Sequence, residues 1–219
     1  MSRARPLHLL EVGLRWPPET FLCWKLEHLA DRGLQVTVAS KAVFDPEAQL
    51  RGVELIRIPA RAEPRRRAAR IVARDGLALL ARSPRRLARL WRATRRHVPR
   101  AQRERYGGTL GLYAMYLRLA RMRPDVVHFE WNTAAAEYLP LFEVWDCPVV
   151  TSCHGSDVSI YPHIPGYERY AANLTEVFRR ASAVHCVSAS LAGETAAFGL
   201  DPAKIRVIRP GRRGLTRAR

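Results

Sequence analysis

Short apolar runs alternate with longer amphipathic segments along most of the chain, a pattern that predicts alternating strands and helices. Residues 7–12 form the first apolar run, and residues 19–32 then carry leucines at helical spacing with a glycine directly after them. Residues 34–39 and 53–59 are rich in β-branched side chains and predict a second and a third strand. The opening of the chain is therefore predicted to be a βαββ unit of a layered sheet.

The second half of the chain continues this alternation with shorter strands. Four nearly all-apolar runs predict strands that are buried on both faces, as in parallel sheets: residues 125–130, 148–153, 183–188 and 205–208. The segments between them are long enough for crossover helices: residues 133–145, 167–180 and 189–198. The predicted class is α/β, with a Rossmann-like, doubly wound and mainly parallel sheet.

An arginine-rich segment, residues 61–123, interrupts the alternation and is predicted to be a helical insertion. Between residues 61 and 105 there are 16 arginines and three acidic residues, so +13 of the net charge of +17 lies here. Residues 84–98 predict a basic amphipathic helix, and residues 110–122 predict a further helix. One side of the basic helix is an arginine stripe: Arg85, Arg89, Arg92 and Arg96. The mainly apolar side is predicted to bury a tryptophan: Leu87, Leu90, Trp91, Thr94 and Val98.

The basic segment has two interpretations that the residues leave open. It is either a solvated helical layer packed on the sheet, or a face that contacts anionic lipid headgroups, where each well-placed arginine contributes about 1 kcal/mol. Nucleic acid is a weaker expectation, because only Trp91 and Tyr106 accompany the arginines and could stack on bases.

Composition adds bounds on location and redox chemistry. No uninterrupted apolar stretch reaches about 18 residues, and the amino terminus lacks the apolar run and cleavage site of a signal peptide. We therefore expect a cytoplasmic protein, and the arginine stripe adds the expectation of a peripheral position at the inner face of the plasma membrane. The four cysteines form no C-x-x-C pair and are predicted to be free thiols.

The segment PVVTSCHGSDV, residues 148–158, is the most informative one for chemistry. An apolar strand ends there in a polar loop, and ligands of open α/β sheets bind at the carboxyl ends of strands. The loop presents four candidate site residues: His154, Gly155, Ser156 and Asp157. His128 and Glu130 end the neighbouring strand and are candidates to line the same crevice. A histidine near a strand end is more often structural than catalytic, and His185, inside a strand, is interpreted in that way.

The first βα loop, GLRWPPET at residues 13–20, contains one glycine and two prolines. It lacks the G-x-G-x-x-G pattern, so a dinucleotide cofactor is not expected. The start of the following helix still directs backbone N–H groups at the crevice, which makes Gly13, Glu19 and Thr20 candidates to bind a phosphate or a sugar hydroxyl. The sequence has no Walker loop, zinc pattern or G-x-S-x-G elbow, and neither a cofactor nor a metal is predicted.

Four blocks of sequence together resemble a known family. In chain order they are WPPETFLCWKLEHLADRGLQVTV, PDVVHFEW, TSCHGSDVS and VFRRASAVHCVSASLAGETAAFGLDPAKIRVIRPG. They resemble the amino-terminal, acceptor-side domain of GT-B glycosyltransferases of family 4, particularly those that assemble exopolysaccharides such as colanic acid. Pro18 departs from the pattern, because the family usually has serine there.

The resemblance implies an enzyme of the hexosyltransferase type. This domain would bind a lipid-linked or polysaccharide acceptor, a second domain would bind a nucleotide sugar as co-substrate, and the anomeric configuration would be retained. His154 would hydrogen-bond the donor sugar and stabilise developing positive charge, and Asp157 would orient His154 or contact the acceptor. His128 and Glu130 would line the acceptor side. The implied partners are the donor, the acceptor, an anionic membrane surface and a separately encoded carboxyl-terminal domain, whereas nucleic acid is not expected.

The end of the chain departs from the family pattern. VIRPG, residues 207–211, resembles the interdomain hinge, which makes residues 1–211 the acceptor-side domain and residues 212–219 a basic tail in place of a donor-binding domain. A closed two-domain cleft contributes roughly 7 to 11 kcal/mol to catalysis, so the chain alone is expected to bind a nucleotide sugar weakly and to turn it over negligibly. Two alternatives stay open: a non-catalytic module that binds anionic membrane or nucleic acid, and an inactive remnant.

Overall fold

The computed structural model of the protein describes residues 5–59 and 64–209, and the predicted tail at 212–219 lies outside these ranges. The strands are β1 (His8–Val12), β2 (Arg15–Trp16), β3 (Gln35–Ser40), β4 (Ala42–Val43), β5 (Val53–Arg57), β6 (Val126–Phe129), β7 (Val149–Cys153), β8 (Ala183–Cys186) and β9 (Ile205–Val207). The α-helices are α1 (Thr20–Asp31), α2 (Arg65–Arg82), α3 (Pro84–His97), α4 (Arg100–Arg103), α5 (Gly108–Ala120), α6 (Asn132–Glu137), α7 (Glu168–Arg180) and α8 (Ala189–Glu194).

Seven strands form one parallel sheet in the order β5-β3-β1-β6-β7-β8-β9. The chain builds this sheet outward from β1, first to one side and then, after the basic insertion, to the other. The loops that follow β1 and β6 diverge at this switch point, and such a divergence leaves a crevice at the carboxyl edge of a sheet. The predicted α/β class with a Rossmann-like parallel sheet is confirmed.

The helices follow the sequence pattern closely. Helices α1, α3, α5 and α7 lie within two residues of the predicted segments 19–32, 84–98, 110–122 and 167–180. Two predicted crossover helices are shorter than expected, because each gives way to 3₁₀ structure: Leu139–Glu143 follows α6 and Thr195–Phe198 follows α8.

Hydrophobic side chains pack on both faces of the sheet. Val127 and Phe129 of β6 belong to a large cluster that contains the inner side of α5, while Val38 of β3 packs with Leu22 and Leu26 of α1 on the other face. The two clusters together hold α1 and α5 on opposite sides of β1, which places the start of α1 beside the switch point.

The sequence predicts later strands that are nearly all apolar and buried on both faces, and the structure shows one face that carries polar side chains and is partly buried in β6 and β8. Side chains alternate between the two faces of a strand, and the register pairs Glu11 with His128 and Ser152 with His185. These polar side chains share the face that α1 covers. A row of polar groups therefore crosses the sheet near its carboxyl edge.

The basic insertion packs against the sheet through α5, which is largely buried. Helix α3 does not bury Trp91 as predicted: that side chain is 51% exposed and the Arg95 guanidinium lies over its ring. Arg86 of the same helix is buried instead, and its guanidinium donates to the Ala120 and Met122 carbonyls and pairs with Asp146. Trp91 lies outside the buried side of the helix, which consists of Arg86, Leu90, Ala93 and Thr94. Helical periodicity alone cannot predict that an arginine belongs to a buried side, because this depends on acceptors from other elements. None of the helices in the described part of the chain is long and apolar enough to cross a lipid bilayer.

Candidate active site

His154 lies at the end of β7, directly after the last residue of the strand. Its Nε2–H donates to Glu130 Oε1 at 3.1 Å, and its ring packs on the Trp131 indole with 4.4 Å between ring centroids. The side chain is 19% exposed. The imidazole is therefore held on two sides at the carboxyl edge of the sheet while part of it remains open to solvent.

Glu130 is the carboxylate that holds His154, and its own side chain is almost fully buried. Burial raises the pKa of a carboxyl group, but here the hydrogen bond from His154 and the positive charge of Lys25 outweigh burial and hold the pKa of Glu130 at about 2. Lys25 projects from α1, pairs with Glu130 and lies 3.6 Å from Glu11 Oε2. The cluster thus contains two buried carboxylates with one ammonium between them.

A chain of hydrogen bonds continues from this cluster across the sheet. His128 Nδ1 lies 2.8 Å from Glu11 Oε2, and His128 Nε2 lies 2.9 Å from Ser152 Oγ. The same Ser152 oxygen lies 2.9 Å from His185 Nδ1, and His185 Nε2–H donates to the Ile208 carbonyl at 2.8 Å. Polar contacts therefore connect β1, β6, β7, β8 and the residue after β9 at one level of the sheet.

The cluster also has a geometry that a cation could use. Ligand atoms of Glu11, His128 and Glu130 lie within 4.8 Å of one another, a grouping that the sequence, with no metal predicted, did not suggest. The Lys25 ammonium already pairs with the Glu130 carboxylate and lies close to Glu11. Part of the positive charge that these carboxylates attract is therefore supplied by Lys25.

Asp157 is the buried carboxylate of the loop that follows β7. Its carboxylate accepts the Asn132 backbone N–H at 3.2 Å, and burial is the main cause that raises its pKa to about 6. The Tyr170 hydroxyl donates to the Asp157 carbonyl at 3.0 Å. The side chain that hydrogen-bonds His154 is thus Glu130, while the Asp157 carboxylate accepts from Asn132. The expectation that Asp157 orients His154 stays a prediction.

The two remaining loop candidates start a short turn. Gly155 is exposed and directly precedes the π-helical turn Ser156–Ile160, in which Ser156 is half-buried. No atom lies within 4 Å of the position that a Cβ on Gly155 would occupy, so open space adjoins the backbone beside His154.

The first βα loop meets the site through Gly13. This residue has a φ of +88°, and a Cβ there would lie 2.5 Å from the Ala134 Cβ, so only glycine fits. Glu19 and Thr20 sit differently: the Glu19 carboxylate pairs with Arg15 at 3.2 Å, and Thr20 is exposed at the start of α1. Within the described ranges neither of them hydrogen-bonds to His154 or Glu130.

A cleft of about 730 Å³ opens next to Gly13. Its walls come from α6, from the start of α7 and from the end of the basic insertion, and its polar lining includes Arg105, Arg169, Tyr167, Tyr170 and Asn173. Tyr170 connects this wall to the His154 loop through its hydrogen bond to Asp157. The cleft and the histidine therefore belong to one edge of the molecule.

The predicted arginine stripe of α3 is divided by the structure. Arg89 pairs with Asp146 at 2.9 Å and Arg96 pairs with Glu143 at 3.0 Å, which fixes the helix to the segment after α6. Arg85 and Arg92 are exposed. Half of the stripe is thus engaged in packing the insertion onto the sheet.

Sequence reasoning missed several members of the site: Glu11, Lys25, Trp131, Ser152 and His185. Two features of the sequence could have identified Glu11 and Lys25. Glu11 is an acidic residue inside the first apolar run, and Lys25 is one of only three lysines in an arginine-rich chain. The role of His185 depends on register between neighbouring strands, which no local pattern contains.

Two solved structures are similar to this chain. The crystal structure of Anabaena Alr3699/HepE in complex with UDP has 15% sequence identity, a TM-score of 0.52 and a match over 94% of this chain and 44% of that chain. The structure of the same protein with UDP and glucose has 16% identity, a TM-score of 0.48 and a match over 94% and 45% of the two chains. The chain therefore spans less than half the length of the structures it matches, and the first likeness supports the shared fold.

A family model gives the more direct assignment. No curated protein matches the chain. The model of Glycosyltransferase Family 4 matches residues 70–212, which is more than half of the sequence and includes the loop with His154 and the neighbouring strands. The chain belongs to glycosyltransferase family 4.

Proposed function

We propose that this chain is the acceptor-side domain of a retaining glycosyltransferase that moves a sugar from a nucleotide sugar to a lipid-linked or polysaccharide acceptor. Family membership supports the transferase chemistry. The observation that carries the proposal is the pairing of His154 with the ionised Glu130 at the carboxyl edge of the sheet, beside the switch point. A partly exposed imidazole held by a buried carboxylate is suited to contact a ligand in the crevice.

His154 contacts the donor sugar in this proposal. Its Nε2–H is committed to Glu130, so in the neutral ring Nδ1 carries the lone pair. That nitrogen accepts a hydrogen bond from a sugar hydroxyl, and the nearby carboxylate stabilises positive charge as it develops on the ring and the sugar. The complexes of HepE with UDP and with UDP and glucose support a nucleotide-sugar donor.

The acceptor occupies the cleft next to Gly13. The cleft combines tyrosine rings, amide and hydroxyl groups with the guanidinium groups of Arg105 and Arg169. Such a lining suits a sugar that bears hydroxyls and a negative charge, because the rings stack on the sugar and arginine binds phosphate or carboxylate. Gly155 and Ser156 adjoin His154 at the surface and contact the acceptor where it approaches the donor. The buried Asp157 holds this loop in place through its hydrogen bond with the Asn132 backbone.

The basic insertion holds the domain on an anionic membrane in this proposal. Helix α2 presents arginines together with two exposed leucines, Leu77 at 66% and Leu80 at 50%. Arg66, Arg70, Leu77 and Leu80 fall on one side of the helix, opposite the buried Asp75. Leucines that enter the headgroup region and arginines that pair with phosphates are the two components of interfacial binding.

Saturation-transfer NMR with UDP-glucose tests the donor proposal on the chain itself. We expect weak binding with saturation transferred to the hexose protons, and we expect the H154A variant to lose this transfer to the hexose. The matched control is H163Q, because His163 is an exposed histidine outside the cluster. Equal transfer to the hexose in wild type and H154A would contradict the proposed contact.

A further inference from the structure

The hydrogen bonds on either side of Ser152 cannot all form if both neighbouring histidines are neutral. The Glu11 carboxylate only accepts, so His128 Nδ1 must carry a proton. The Ile208 carbonyl also only accepts, so His185 Nε2 must carry one. In the neutral rings, His128 Nε2 and His185 Nδ1 are then both lone pairs, and both face the same hydroxyl, which has a single proton.

One additional proton resolves this conflict. We infer that His128, Ser152 and His185 together hold one proton more than neutral side chains would, and that His128 carries it as an imidazolium. His128 Nε2–H then donates to Ser152 Oγ, the Ser152 hydroxyl donates to His185 Nδ1, and His185 donates to the Ile208 carbonyl. Every polar atom in the row then has a matching partner.

The surrounding charges place the proton on His128. His128 Nδ1 lies 2.8 Å from Glu11 and 3.7 Å from Glu130, and two carboxylates with the single ammonium of Lys25 leave one negative charge to be balanced. His185 is the poorer holder, because burial lowers its pKa. Among the described residues, the charged or titratable groups that face His128 and Ser152 come from several elements. They are Glu11 from β1, Lys25 from α1, Glu130 after β6, His154 after β7 and His185 from β8.

The bound proton has a consequence for the site if the proposed function is correct. With His128 positive, the pair of carboxylates and the pair of cations are balanced, so Glu130 stays ionised without drawing a second proton onto His154. His154 then remains neutral with Nδ1 available as an acceptor. His128, Ser152 and His185 are positioning residues in this scheme, since they act on the substrate through Glu130 and His154.

Nitrogen NMR of the histidine rings tests the inference without any substrate. The chain is labelled with ¹⁵N-histidine, spectra are recorded at pH 7, and signals are assigned through single histidine-to-glutamine variants. We expect His128 to show the imidazolium signature with both ring nitrogens protonated, and His185 to show a neutral ring protonated at Nε2. Neutral signals from both rings in the folded wild type would overturn the inference.

The variant H185L tests whether the row itself holds the proton. Without His185 the Ser152 hydroxyl is free to donate to His128, so the neutral ring becomes acceptable. The ratio of imidazolium to neutral imidazole at His128 is expected to fall roughly tenfold at constant pH, since a charge-assisted bond is replaced by an ordinary one. The control H163Q should leave the ratio unchanged, and an unchanged ratio in folded H185L would overturn the inference. Because no donor is present, this outcome is independent of whether UDP-glucose contacts His154.

Discussion

Two buried carboxylates at the same edge of the sheet, Glu130 and Asp157, have pKa values shifted in opposite directions. Glu130 receives a hydrogen bond from His154 and faces Lys25, and its pKa falls to about 2. Asp157 receives only backbone hydrogen bonds, which do not outweigh the cost of burial, and its pKa rises to about 6. The difference follows from the cation at Glu130, because burial favours the neutral acid wherever no charge opposes it.

Ionised Asp157 should therefore lower the free energy of unfolding at alkaline pH. Its folded pKa of about 6 exceeds the ordinary value of 3.8, so the group favours folding when protonated and this contribution is lost as pH rises through 6, by about 3 kcal/mol at most. The D157N variant keeps an oxygen acceptor for the Asn132 N–H. We expect it to be more stable than wild type at pH 8 and equal to it below pH 4. Denaturant unfolding at the two pH values measures this, and a less stable D157N at pH 8 would contradict the assignment.

Removing the Lys25 ammonium should lower the free energy of unfolding, because it pairs with two buried carboxylates. It is one-third exposed, yet the charges of Glu11 and Glu130 outweigh its burial and raise its pKa. The K25M variant leaves two buried carboxylates facing each other and is expected to lose about 3 kcal/mol of unfolding free energy at pH 7.

The matched control for K25M is R51Q. Arg51 pairs with Asp31 on the surface, where the two side chains are 73% and 44% exposed, and such pairs contribute about 0.5 kcal/mol. Urea unfolding compares the two variants, and equal losses would mean that the cluster around Glu130 is solvated.

Most elements could be predicted from hydrophobic spacing alone. The strands and the long helices are local patterns, and α1, α3, α5 and α7 lie within two residues of the expected segments. The polar row could not be predicted in the same way, since Ser152 and His185 meet only through the register of β7 and β8. The site residues divide in the same way. His154, Glu130 and Gly13 could be predicted because each directly follows a strand. Lys25 could not, because its position in the site depends on how α1 packs against the sheet.

The contact between the first βα loop and α6 gives a prediction at the level of elements. G13A places a Cβ 2.5 Å from the Ala134 Cβ and also strains a backbone with φ of +88°. G33A has the same φ but no atom within 4 Å of its Cβ, so it isolates the strain. We expect G33A to lose about 1 kcal/mol and G13A a further 1 to 3 kcal/mol. Thermal or urea unfolding measures the difference, and equal losses would mean that α6 is free to move away from β1.

On the scale of the whole molecule, the positive charge is used in two ways. Part of it fixes the insertion onto the domain, as in the buried guanidinium of Arg86 and the ion pairs of Arg89 and Arg96. The outer side of α2 has a different character, because exposed leucines accompany its arginines. Substituting the whole predicted stripe of α3 would therefore disturb the fold and the surface together, whereas substituting the exposed Leu77 and Leu80 of α2 changes the surface and leaves the buried side of that helix intact.

The double variant L77Q/L80Q should bind anionic vesicles more weakly than wild type. Removing two half-exposed leucines from the headgroup region is expected to cost about 2 kcal/mol, roughly thirtyfold in affinity. The control F44Q changes a side chain that is 75% exposed and lies far along the chain from the insertion. Vesicle sedimentation at two salt concentrations measures the binding. Unchanged vesicle affinity in the variant would contradict the proposed role of the two leucines. Tighter binding of the wild type to RNA than to vesicles would favour the nucleic-acid module instead.

We propose that the carboxyl edge of β1, β6 and β7, with His154 held by Glu130, is the sugar-binding edge of this family 4 domain. Amide NMR of the ¹⁵N-labelled chain during titration with UDP-glucose tests it most directly. We expect the chemical-shift changes to concentrate at Gly13, Trp131, His154 and Gly155 and to disappear in E130Q. Shifts confined to the basic helices or to the opposite edge of the sheet would contradict it.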